Sequence, residues 1–434
     1  MTPAPRGRWI WGLALACFVL AAATGAYYRF ALITPLPGVL DNVRHAHSHL
    51  MFFSWVTPPL MLLVGAELAR RGVRPRGFAA TALAAAIGGL ITYLPFLRSG
   101  YHLTPFAGKL LPISMIASGL NGLVWYAFAI LYLLATRGVR RDARLRLFDV
   151  AVVLMLVSTV AVGGLAYLGA SGQIQRHVML ALVDWFLTLF ADGWFGLAIL
   201  ALASLHSDRA RLARQPVGAL GWILGAAMVV RSVGRYLGDA QAVQGALALE
   251  AAGGAVAALA WLGLVFVIWR VDPHPVTTQG GTVVAPPTGA TLLLRQLALG
   301  LLVVKGVVEL AAATPGLTGY ISQPGFRIFF LHAYLLGAVS FSVIYAVRSQ
   351  LGAGAFRGAG LFALAVGVMV ASLAPLTPAW PPALSGPWVL RVAAYTSLLP
   401  VLVALYALVR LDLGSGRTAW QRPSPAERPG TPAR

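Results

Sequence analysis

The sequence predicts an all-α, polytopic membrane protein of about twelve transmembrane helices. Three observations carry this. The 434 residues are 59% hydrophobic and only 11% charged, whereas a soluble domain is roughly a quarter charged. The apolar stretches run to about 20 residues or more, enough to cross a hydrocarbon layer of roughly 30 Å as helix. The basic residues fall between those stretches rather than in one patch.

The spans are expected near 9–28, 45–68, 77–97, 111–135, 146–170, 177–205, 216–237, 244–269, 290–313, 326–347, 356–376 and 387–410. The first, with Arg6 and Arg8 before it, has the outline of a signal peptide. It reads as a retained helix because the apolar run is long and no small-x-small cleavage site follows it. Residues 1–411 form one helical membrane domain. A cytoplasmic linker rich in Pro, Thr and Gly, near 271–289, separates eight helices from four. Residues 412–434 read as a disordered cytoplasmic tail. No strong internal repeat is visible.

The net charge of +20, from 33 Lys+Arg against 13 Asp+Glu, suggests nucleic-acid binding in a soluble chain. Here topology accounts for it, and no nucleic-acid partner is expected. Arg70, Arg71, Arg74 and Arg76 follow span two. Arg137, Arg140, Arg141, Arg144 and Arg146 follow span four, and Arg209, Arg211 and Arg214 follow span six. The positive-inside rule then puts both termini in the cytoplasm of a bacterial inner membrane. Cys17 is the sole cysteine, which excludes intrachain disulfides and thiolate clusters.

The densest chemical signal is Arg44-His45-Ala46-His47-Ser48-His49-Leu50-Met51, with three of the eight histidines in five residues. On a helix His45 and His49 share a face, and His47 points about 200° from each. One metal therefore takes His47 alone or the pair His45 and His49; the bland alternative is a polar interfacial cap. A copper ion held by His102 with His45 or His49 is another use of the cluster. His332 lies among apolar residues about two turns inside span ten. It is either a helix–helix hydrogen-bonding group or a ligand. Spans two and ten run in the same direction, so His47 and His332 sit at one depth within about 5 Å at 1.5 Å per residue. Two such imidazoles suit low-spin, bis-histidine haem b.

At this point the sequence resembles subunit I of the haem-copper oxidases. In that family a ligating His of the second helix is followed by Met four and Pro eleven residues later, matched by His47, Met51 and Pro58. The tenth-helix ligand followed by a Gly-Ala pair is similar to His332, Gly337 and Ala338. NnrS-type haem and copper membrane proteins, linked to the nitric oxide response, are similar too. Their His-Ala-His-Glu-Met-Leu-Phe-Gly-Phe motif compares with His47 through Trp55, and their His-Ala-x-x-x-Gly-Ala segment with His332 through Ala338. The matched residues cover about 40 positions. The resemblance implies a haem-copper-oxidase-like bundle with one low-spin haem. The oxygen-reducing centre is missing: span six reads Phe190-Ala191-Asp192-Gly193-Trp194, span seven has no His, and Phe330 stands two residues before His332. The expected role is electron transfer or haem- and nitric-oxide-linked handling, with a redox partner or respiratory subunit alongside, and not terminal oxidase activity.

Arg44, Arg327 and Arg391, at the expected outer boundary, are candidates for neutralising haem propionates or for anchoring the interface. Lys305 and Glu309, four apart in span nine, are placed to pair. With Asp192, Arg231 and Glu250 they form either a packing network or a proton path. As a charged midplane site they support a rival reading, a secondary transporter, though inverted repeats are not evident. A non-catalytic respiratory assembly subunit is a third reading. His177 is expected to cap the outer end of span six, and His206 and His274 to lie on the cytoplasmic surface.

Overall fold

The computed structural model describes residues 5–106, 108–171, 175–241, 243–271, 276–277, 283–284, 286–314 and 316–412. His274, most of the 271–289 linker and the tail after residue 412 lie outside the described residues. Among the described residues, twelve helices are long and apolar enough to cross a membrane: α1 Gly7–Phe30, α2 Leu40–Ala69, α3 Phe78–Ser99, α4 Ile113–Thr136, α5 Ala143–Gly169, α6 Arg176–Ala203, α7 Val217–Asp239, α8 Ala246–Arg270, α9 Gly289–Ala312, α10 Pro324–Leu351, α11 Ala353–Leu376 and α12 Pro387–Val409. The chain is an all-α polytopic membrane protein. Two short antiparallel hairpins, Thr104–Phe106 with Lys109–Leu111 and Val276–Thr277 with Val283–Val284, lie in loops. The face where α1 starts is called the near face, and the opposite one the far face.

Most boundaries agree with the hydropathy reading. The exception is α2, which starts five residues earlier than the apolar run. Its first turns, Leu40-Asp41-Asn42-Val43-Arg44-His45, are polar, and a hydropathy window cannot see a polar turn. Asp41 lies in the first turn, where a carboxylate is favoured by the helix dipole. The histidine cluster therefore lies inside the helix rather than at its tip.

The helices are not equally enclosed. The windows of α2, α6 and α10 are 78%, 83% and 67% buried, against 33–50% for the other nine. The outer helices expose apolar side chains such as Leu94, Leu123, Ile130, Leu259 and Leu364, as lipid contact requires. The inner three run in one direction, from far face to near face, and each widens into a π-helical stretch: Met51–Val56, Leu187–Phe195 and His332–Val339.

Local chemistry explains two of these stretches. Pro58 has no N–H to offer Ser54, so the ladder before it cannot continue in α-register. Thr57 answers with an i→i−5 bond, and both its N–H and its hydroxyl (2.7 Å) donate to Phe52 O. Ser340 does the same in α10, its N–H and hydroxyl (3.1 Å) donating to Leu335 O. In α6 the widening spans Gly193, whose hydrogen faces Leu154.

The three stretches are stitched together at mid-membrane. Trp55 Nε1 donates to Ser340 Oγ at 3.0 Å, and the Tyr334 hydroxyl donates to Ala191 O at 2.7 Å. Phe53 meets Phe190 edge-on with centroids 6.0 Å apart. Elsewhere small residues set the spacing. A Cβ on Gly253 would stand 2.6 Å from Arg231 N, and one on Gly234 would stand 2.5 Å from Glu250 N. The α7 and α8 backbones therefore touch, as small residues allow in membranes.

The near face is closed by buried arginines. Arg144 donates to Ser204 O at 2.5 Å and Ser207 O at 3.1 Å. Arg295 donates to Ala203 O at 2.8 Å and Ile268 O at 3.0 Å. Both cap carbonyls that helix ends leave open. Glu67, fully buried in α2, holds Arg71 at 2.8 Å, Arg70 and Arg144 at 3.3 Å and Arg209 at 3.7 Å. Basic residues read as topology signals thus also serve as partners of one buried carboxylate. His206 corrects its surface assignment: it is 4% exposed, because the turn after α6 folds inward under these arginines.

Candidate functional site

The site is built around α1, α2 and α10 near the far face. His47 lies seven residues into α2 and His332 eight residues into α10, depths of about 10 and 12 Å at 1.5 Å per residue. Spans two and ten are co-directional, as expected. His47 Nδ1 stands 2.7 Å from Ala21 O of α1. His332 Nδ1 stands 2.7 Å from Ile328 O, one turn back in its own helix. A carbonyl only accepts, so each Nδ1 carries the proton and each Nε2 keeps its lone pair. This is the arrangement that orients an imidazole toward a metal.

Gly25 of α1 lies against the His47 ring. A Cβ there would stand 2.9 Å from Cε1, 3.1 Å from Nδ1 and 3.5 Å from Nε2. The missing side chain is what lets the imidazole lie on the helix. The two imidazoles are within electrostatic reach of each other, and Arg29 is within reach of both. Arg29, 8% exposed at the end of α1, places Nη2 3.3 Å from His332 Nε2.

The other two histidines of the cluster face elsewhere, as the helical spacing requires. His49 stacks on Phe96 of α3 with centroids 3.8 Å apart and donates from Nδ1 to His45 O at 2.9 Å. His45 sits edge-on to Tyr101 at 4.5 Å. His102 is exposed in the following loop, and His177 is exposed at the start of α6. Among the described residues no three His, Cys, Asp or Glu side chains converge as a metal ion's ligands do. The surroundings of His45 and His49 are aromatic: Phe53, Phe96 and Tyr101.

Arg44 lies on the surface, paired with Asp41 at 3.0 Å, and Arg327 and Arg391 are exposed. The guanidinium that reaches the imidazole pair is Arg29, which the sequence reading did not single out. Its signal was faint: one more basic residue at the end of an apolar run.

A second polar site lies toward the far half of the bundle, with Glu309 and Lys305 three and seven residues from the far end of α9 and Arg231 eight from that of α7. Lys305 Nζ of α9 bonds to Glu309 one turn along, as the spacing predicted, and also to Asp192 of α6 at 3.2 Å. Arg231 of α7 stands 3.9 Å from Glu309. Lys305 is further enclosed by the rings of Trp261 at 4.7 Å and Tyr334 at 4.9 Å, contacts that favour a cation. Glu250 does not join this group directly; it pairs with Arg235 at 3.1 Å. Arg235 also holds Asp239 at 3.3 Å and Asp184 at 3.6 Å.

No protein-family model matches the chain, and no curated protein matches it by sequence.

Proposed function

We propose that this chain is a b-type haem protein of the membrane, with His47 and His332 as axial ligands, serving electron transfer or haem- and nitric-oxide-linked chemistry. The observation that carries this reading is the donor set. Two imidazoles on co-directional helices, at matching depth, each have Nδ1 tied to a carbonyl and Nε2 as the lone-pair nitrogen, that of His332 accepting from Arg29. Such a pair fits a low-spin haem, and the resemblance to haem-copper oxidase subunit I and NnrS-type proteins points the same way. Haem held by two imidazoles supplies one-electron chemistry with no open coordination site.

The protein's own contribution is orientation and charge. Ala21 O and Ile328 O fix the tautomers, Gly25 seats the His47 ring, and Arg29 brings a buried positive charge to the pair. Arg29 donates to His332 Nε2; were that nitrogen given to iron, the guanidinium fork would be free to hold a carboxylate. The setting is a bacterial inner membrane with both termini cytoplasmic, on the strength of the basic clusters after α2, α4 and α6.

The test is the visible spectrum of the purified, dithionite-reduced protein. A low-spin b-type spectrum lost in both His47→Ala and His332→Ala is expected. A colourless wild-type protein, or a His332→Ala variant with an unchanged low-spin spectrum, overturns the reading. A secondary transporter is the second reading, favoured by the charges of Asp192, Arg231, Lys305 and Glu309 gathered inside the bundle from α6, α7 and α9. It predicts a colourless protein that a solute stabilises against unfolding.

A further inference from the structure

Charge is scarce in this chain, and acidic charge scarcest, with 13 Asp+Glu against 33 Lys+Arg. Yet five carboxylates and three cations gather in one row of two adjoining ion-paired groups inside the bundle. From the far face inward it reads Asp239, Arg235 with Glu250 and Asp184, Arg231, Glu309, Lys305 and Asp192. Arg231 and Arg235 stand one turn apart on α7, which sets the two groups side by side. With all eight groups ionised the row carries two negative charges in excess.

Exposure falls inward along the row: 38% for the Asp239 side chain, 34% for Arg235 and 1% for Lys305. Asp192 breaks the trend at 18%. It belongs to α6, the most enclosed helix of the twelve, so its open side faces a space within the bundle rather than lipid. A carboxylate at that depth is costly against hydrocarbon, and a wet space removes that cost. Two buried polar atoms beside the row point the same way. Ser232 Oγ, next to Arg231, and Trp185 Nε1, next to Asp184, have no protein partner, and such atoms are ordinarily satisfied by water. The π-helical stretch Leu187–Phe195 bears Asp192 and is held to α10 through Tyr334, and π-turns of this kind are frequent at functional sites.

We propose that this row lines a water-filled cleft that opens at the far face and delivers protons to Asp192 in the membrane interior. The groups facing Asp192 are Lys305 and Glu309 from α9, Arg231 from α7 and Tyr334 from α10. Excess negative charge selects protons and cations over anions. The inference does not need the haem reading: its charged groups lie on α6, α7, α8 and α9, and Tyr334 alone of the groups it names comes from the helix that carries His332.

The test uses the full chain with Cys17→Ser, which removes the only thiol. Single cysteines are placed at Asp184, Ser232 and Asp192, with lipid-facing Leu123→Cys as control. A cationic, membrane-impermeant methanethiosulfonate is expected to modify the first three about tenfold faster than an anionic one, and faster than it modifies the control. Rates no faster than the control, or equal for the two reagents, overturn the cleft. The second measurement needs no cysteine. On a perfused film of the wild-type protein, lowering the buffer pH is expected to raise an acid carbonyl-stretch infrared band that is absent in Asp192→Asn. Identical infrared changes in the two proteins overturn the delivery of protons to Asp192.

Discussion

Arg29 Nη2 lies 3.3 Å from His332 Nε2, across 303 residues of sequence. A buried guanidinium beside an imidazole pair is a fixed positive charge in a poorly screened place. On the haem reading it favours the electron-rich reduced form. Arg29→Leu is expected to lower the midpoint potential by roughly 60 mV, about 1.4 kcal/mol for one electron. Arg29→Lys is expected to retain about half of the effect, because the charge remains and the fork is lost. A redox titration that finds Arg29→Leu within error of wild type removes Arg29 from the site.

Gly25 makes a steric prediction that does not depend on any cofactor. A Cβ at this position meets the His47 ring at 2.9 Å, closer than carbon atoms approach without something shifting. His47 is also tied to α1 through Ala21 O, so the ring has little room to retreat. Gly25→Ala is expected to destabilise the protein by about 1–3 kcal/mol, the range for overpacked sites. Gly12→Ala, on the same helix with its nearest neighbour atom at 3.4 Å, is the control and is expected to be near neutral. Thermal unfolding in detergent compares them; equal midpoints would mean that Gly25 does not seat His47.

The fold was legible because each span is a local property: twelve apolar runs can be counted without knowing what touches what. Part of the site was legible for the same reason. The depth match of His47 and His332 follows from counting residues along co-directional helices, and the Lys305–Glu309 bond follows from a spacing of four. What stayed hidden depends on contacts distant in sequence. Nothing local marks Arg29 as the residue that meets His332, or Asp192 as the second partner of Lys305. Nor does it show that arginines after α2, at the start of α5 and after α6 converge on Glu67. The π-helical stretches were hidden for a different cause. The Pro58-Pro59 pair hints at one, but the compensating hydroxyls of Thr57 and Ser340 become meaningful only when the carbonyls they satisfy are known.

Lys305 is 1% exposed and holds two carboxylates, Asp192 and Glu309. Removing it leaves buried negative charge with Arg231 as the remaining near cation, 3.9 Å from Glu309. Breaking such a pair from one side costs about 3–5 kcal/mol, because the surviving charge keeps its desolvation penalty. Lys305→Met is therefore expected to unfold at markedly lower denaturant. Lys305→Met with Glu309→Gln is expected to recover much of the loss, since one of the two stranded carboxylates is then neutral. Strict additivity of the two single changes in a double-mutant cycle would show that the two side chains are not coupled.

His206 gives a pH dependence with a definite sign. It lies beyond the end of α6, 4% exposed, and neither ring nitrogen has a hydrogen-bond partner. Burial, and then the nearby Arg70, Arg144 and Arg295, push its pKa from 6.5 down to about 4. The folded protein therefore resists a proton that the unfolded chain accepts readily. Between pH about 6.5 and about 4 the unfolded state binds more protons at this position, so stability falls as pH is lowered through that window. Above it both states are neutral and the contribution is complete. His206→Phe cannot titrate. Its stability is expected to be flatter than wild type between those two pH values and parallel to wild type at higher pH. Denaturant unfolding in detergent across the range measures the difference between the two curves. A difference that does not change with pH would mean that the folded His206 accepts a proton as easily as the unfolded one, with its charge shielded from the three arginines around it.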